Sequence, residues 1–64
     1  MTPAQMLKKA GECRAEARAM IQRARFAHRC NQPAVVSAQL VCARSMLQFA
    51  QFWRFEAQRK QVRQ

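Results

Sequence analysis

The sequence predicts an all-α protein, an antiparallel helical hairpin that pairs with a second copy into a four-helix bundle. Three observations predict it. The only helix breakers are Pro3, Gly11 and Pro33, and both prolines stand where a helix can begin. Along the first half, Met6, Ala10, Cys13, Ala17, Met20, Ala24 and Ala27 follow alternating steps of four and three, the spacing of one helix face. No stretch alternates apolar and polar residues with the two-residue period of a strand.

The 64 residues make a single domain, read as helix 3–30, turn 31–32, helix 33–60 and a frayed basic tail 61–64. "TPAQ" opens the first helix as a capping box, with Thr2 as the cap, Pro3 in the first turn and Gln5 reaching back. "NQP" closes it. Asn31 suits a left-handed C-terminal position or an N-cap, and Pro33 stops the first helix from running on. Two helices of roughly 40–45 Å joined by so short a turn must be antiparallel neighbours.

In the first helix Ala10, Ala17 and Ala24 recur every seven residues, so small side chains let a second helix come close. The second helix is apolar over too much of its circumference for one neighbour. One seam, Val35, Ala38, Cys42, Met46, Phe49 and Trp53, is expected to pack on the first helix, with Ala17 opposite Met46 and with Ala10 and Gly11 opposite Trp53. A second seam about 120° away, Val36, Leu40, Ala43, Leu47 and Ala50, is expected to form the dimer interface. Val41 and Phe52 widen the apolar surface further.

The aromatic cluster "FAQFWRF" tests this layout. With Phe49 at 0°, Phe52 falls near about 300°, Trp53 near about 40° and Phe55 near about 240°. The first three can share a broad face, and Phe49 and Trp53 are expected in the core. Phe55 falls instead with Arg44, Gln48 and Gln51, flanked by Arg54 and Arg59. An exposed aromatic beside arginine has the composition of a protein-interface hot spot, so these six residues are the candidate partner-binding site. Phe26 also points off its seam and is expected to pack across the turn.

Twelve Lys and Arg stand against three Asp and Glu, a net charge of +9. Such a balance favours an anionic partner. Arg14, Arg18, Arg25 and Arg29 fall within about 60° of one another on the first helix, away from Glu12 and Glu16. This basic stripe suits carboxylate or phosphate, which arginine grips in a fork. It equally suits a solvated face.

Several classes drop out. With one His, no Asp and no Tyr, and with Ser37, Ser45 and the cysteines lacking a base at helical spacing, the chain is not expected to be an enzyme. His28 and Cys30 are too few for zinc, and no metal or other cofactor is expected. Cys13, Cys30 and Cys42 form no even-numbered disulfide framework and read as reduced, space-filling thiols of a cytoplasmic protein. No apolar run has the length of a signal peptide's core or of a membrane span.

In length and layout the whole chain resembles two families, although no functional residue can be matched to either. One is the plasmid copy-number RNA modulators, four-helix bundles that bind paired RNA loops through one face. The other is the small phage-encoded, dimeric helical-hairpin host-takeover proteins, such as quorum-sensing anti-activators of Pseudomonas phage, which bind host proteins. The Ala-, Arg- and Gln-rich composition looks like that of a GC-rich phage or proteobacterial product. The second resemblance implies a homodimer that binds and inhibits a host protein with an acidic or apolar surface, such as a transcriptional regulator. The alternative is a hairpin dimer that binds RNA or DNA through the arginine stripe. A lone Asn, placed in the turn, and sparse lysine weigh against that alternative. A membrane-active helix fits the charge but not two complementary capped helices.

Overall fold

The computed structural model describes residues 1–63, and the side chains of residues 1–61. Two helices, α1 (Pro3–Arg29) and α2 (Pro33–Arg63), pack against each other along their length. Three of the four helix ends have a local cause. At the start of α1 the Gln5 N–H donates to Thr2 Oγ1 at 3.2 Å, and the Thr2 N–H donates to Gln5 Oε1 at 2.9 Å. Two of the helix's orphan donors are thereby satisfied within one box.

At its far end Asn31 adopts the left-handed conformation with φ 56°. This lets the Gln32 N–H reach back to the Ala27 carbonyl at 2.9 Å and the Asn31 N–H to the His28 carbonyl at 3.1 Å. These two bonds are a Schellman motif, and it settles which of its two roles Asn31 plays. His28 and Arg29 in the last turn oppose the negative end of the helix dipole. Gln32 accepts the first bond of α2 from Val36, and Pro33 occupies the position whose missing N–H costs nothing. α2 then continues past the expected boundary at residue 60 as far as Arg63, so 61–63 are helical. Gln64 lies outside the described residues.

Apart from Met6, the fully buried core is made of alanine. Met6, Ala10, Ala17, Ala24 and Ala27 of α1 are buried, with Cys13 and Met20 half-buried between them, as their spacing predicts. From α2 the buried residues are Ala43, Ala50 and Ala57, with Val36, Gln39, Met46, Trp53 and Lys60 half-buried at the intervening positions. Both helices thus present a heptad seam with alanine at one of its two positions.

This corrects the expected seam of α2. Ala43 and Ala50 were assigned to an outer dimer interface, together with Val36, but they face α1. Val35, Ala38, Cys42 and Phe49, expected inside, are exposed. Close approach explains the choice. The Cα envelope measures 51 × 13 × 12 Å, which leaves the helix axes about 8 Å apart, the near end of the usual range. At that separation a methyl fits between backbones and a phenyl ring does not. The nearly square cross-section shows that the helices do not lie strictly parallel in one plane, which agrees with the winding that seven-residue seams favour.

Gly11 plays no part in this approach. A methyl added there would meet Arg14 Nη2 at 3.9 Å, an ordinary contact, rather than Trp53. Cys30 and Cys42 are exposed free thiols rather than space-fillers, and Cys13 is a half-buried one. Among the described residues no helix is long and apolar enough to cross a membrane.

Candidate interaction surfaces

Once alanines form the seam, every larger side chain of α2 is sorted onto one of its flanks. In an antiparallel pair, the residue that follows each seam position on one helix shares a side with its equivalent on the other. A groove of about 430 Å³ shows the pairing directly, with Ile21, Ala24, Arg25, His28 and Arg29 on one bank and Val36 and Leu40 on the other. The opposite side has its own groove of about 530 Å³, where Ala19, Arg23 and Phe26 of α1 face Val35 and Gln39 of α2.

Following the heptads along the hairpin gives each side a distinct character. The first side carries an aliphatic strip of Leu7, Ile21, Leu40 and Leu47. Leu40 and Leu47 are 49% and 44% exposed. Arg18 and Arg25 border it on α1 and Arg44 on α2, while Arg14 stands in its line between Leu7 and Ile21 and Arg54 continues the line of Leu40 and Leu47. None of Glu12, Glu16 and Glu56 lies on this side, so the arginines have no carboxylate partner there. Arg14 is half-buried, folded over Gly11, while Arg18, Arg25 and Arg29 are exposed. The predicted stripe is therefore one bank of a wider basic face, with Arg44 and Arg54 on the other. Of the expected dimer residues, Leu40 and Leu47 belong to this face, Val36 lines its groove, and Ala43 and Ala50 are buried beneath it.

The second side is aromatic and mixed in charge. Phe49 and Phe52 are each 52% exposed, with Val35, Cys42 and Phe26 along the same side. Phe52 meets Trp53 edge to face, with ring centroids 5.1 Å apart at 70°. That geometry is favourable and pins an otherwise free ring. Lys9, Arg23 and Arg59 stand here with Glu12, Glu16 and Glu56, and Arg59 donates to Glu56 Oε2 at 2.7 Å. Arg59 was expected beside Phe55. It is instead tied to an acid one turn back.

Phe55 itself stands on the back of α2, 64% exposed, in a shallow hollow with Gln51, Arg54 and Gln58. Gln48 is exposed on the same outer surface, and Gln58 joins a cluster in which sequence reasoning had not placed it. Among the described residues no three His, Cys, Asp or Glu side chains come together as a metal site. No protein-family model matches the chain, and no curated protein and no solved structure proves similar to it.

Proposed function

We propose that the protein is a homodimeric helical-hairpin module that captures another protein and inhibits it by masking the surface it covers. One observation carries the reading. Apart from Met6, the hairpin's fully buried core is alanine, while Phe49, Phe52 and Phe55 are more than half exposed and Leu40 and Leu47 nearly so. Apolar exposure on this scale marks interaction surfaces. A buried alanine methyl contributes about 0.8 kcal/mol and a buried Leu or Phe about 1.5–3, so a lone hairpin keeps its strongest stabilising groups in water. A chain this short needs them covered.

The charge pattern supports different roles for the two sides. A two-fold contact sets a patch against itself, so it needs a surface that is its own complement. The Phe49 and Phe52 side, with three charges of each sign, meets that condition, whereas the basic side would press arginine on arginine. The dimer is therefore a four-helix bundle joined through the aromatic side, not through Leu40 and Leu47. The basic side and the neighbouring Phe55 hollow remain outward for the captured protein. A dimeric helical hairpin that binds a host protein is also what the resemblance to small phage-encoded takeover proteins implies.

Sedimentation of paired variants tests the assembly. Phe49→Glu with Phe52→Glu should give monomer or unfolded chain, since an unpaired charge in an apolar contact costs several kcal/mol. Leu47→Glu should leave a dimer. Cys42, exposed on the hairpin's aromatic side, should alkylate more slowly as protein concentration rises. A well-folded wild-type monomer at micromolar concentration would sink the dimer.

The arginines support a second reading, in which the basic side binds RNA or DNA. Binding would then weaken steeply with salt, by a slope of about 0.9 per duplex phosphate neutralised. The aliphatic strip between the arginines favours a protein. Affinity capture with and without nuclease separates the two, because only a protein partner survives digestion.

A further inference from the structure

We infer that the basic side is a cradle for one kind of element, an acidic amphipathic α-helix of the captured protein lying along the hairpin axis. The inference rests on the protein-capture reading above and specifies its occupant.

Shape comes first. Val36, Leu40 and Leu47 with Ile21 form a strip along the hairpin, deepest where Ala24 and Val36 leave the groove of about 430 Å³, while Leu7 lies beyond Arg14, which holds the heptad position between Leu7 and Ile21. From Val36 to Leu47 the strip runs roughly 17 Å at about 1.5 Å per residue, the length of about three helical turns. A partner helix that presents apolar residues at i, i+3, i+4 and i+7 fills such a groove.

Charge then narrows the choice. Arginines stand on both banks, Arg18 and Arg25 on α1 and Arg44 and Arg54 on α2, with no glutamate of the described residues among them. A helix with Glu or Asp on both flanks of its apolar stripe meets a guanidinium fork on either side. A second copy of this chain cannot do so, because its matching side carries the same charge. Nucleic acid is a poorer match for two reasons. The strip offers nothing to a phosphate, and the Phe and Trp rings lie elsewhere: Phe26, Phe49 and Phe52 on the other side, Trp53 in the seam and Phe55 on the back of α2. Base stacking, the usual companion of an arginine groove for single strands, would have only the His28 imidazole in this groove.

The test uses a labelled 15-residue helical peptide with leucines at i, i+3, i+4 and i+7 and glutamates on both flanks, read by fluorescence anisotropy against the full chain. Three comparators share the assay: a scrambled isomer that breaks the leucine stripe, a lysine-flanked version, and a DNA duplex. The glutamate-flanked stripe should bind, with the scrambled and lysine-flanked peptides more than tenfold weaker. Arg18→Glu with Arg25→Glu should lose more than tenfold for that peptide and gain affinity for the lysine-flanked one, a reversal that an unfolded variant cannot give. Leu40→Asp with Leu47→Asp should abolish binding while circular dichroism stays helical. Equal binding of the scrambled isomer, or no binding at 100 µM peptide, overturns the inference. If the inference fails in this way while nuclease-resistant capture of a protein still depends on Phe55, the occupant is wrong and protein capture stands. Displacement of the peptide by duplex, with nuclease-sensitive capture, overturns both.

Discussion

Lys60 donates from Nζ to the Met1 carbonyl at 2.9 Å, a contact between residues 59 apart in sequence. It closes the open end of the hairpin, opposite the turn at Asn31. Lys60 occupies a seam position of α2, where its aliphatic stem lies against α1 while its ammonium group reaches out past the helix start. α2 continues beyond this contact to Arg63, where the sequence predicts a frayed tail.

Lys60→Met keeps the stem and removes the donor. Because the bond is exposed, global stability should fall by no more than about 1 kcal/mol. Amide exchange over Arg59 and Gln61 should quicken by more than exchange around Ala43 does. Uniform quickening along both helices would mean that the contact holds no local register.

The alanine seam should be intolerant of size. Ala17 is 1% exposed between close backbones, so Ala17→Leu should cost at least about 1–3 kcal/mol through overpacking. For a hairpin with so small a core, that is enough to melt it. Ala15→Leu, on the exposed side of the same helix, should change urea stability by no more than about 0.5 kcal/mol. Similar midpoints for the two variants would contradict the close approach.

Gly11→Ala should stabilise the protein by about 0.5–1 kcal/mol. Gly11 is helical, its φ is not positive, and an added methyl meets only the flexible end of Arg14. A drop in the thermal midpoint would show that the glycine makes room for something the hairpin alone does not contain, such as a partner backbone.

Phe55→Ala should separate folding from function. With 64% of the residue already exposed, truncation should barely move the unfolding midpoint. Binding of the captured protein should weaken by at least about 2 kcal/mol if Phe55 anchors it. Calorimetry of wild type and variant against that protein reads both effects. Unchanged affinity would remove Phe55 from the capture surface.

Much of this architecture is written in local sequence. Thr2, Pro3 and Gln5 specify one terminus, Asn31 and Pro33 the reversal, and Ala10, Ala17 and Ala24 the inward face of α1, because caps, breakers and heptad spacing act within a turn or two of the chain. The inward face of α2 was not legible in the same way. Its large apolar residues and its alanines trace two rival seams with equally good helical spacing, and hydrophobicity favours the larger ones. Only the distance between two packed backbones could choose. At about 8 Å it admits Ala43, Ala50 and Ala57 and turns Phe49 out, and that choice set Arg44 and Arg54 facing the stripe of α1 and collected the glutamates on the other side.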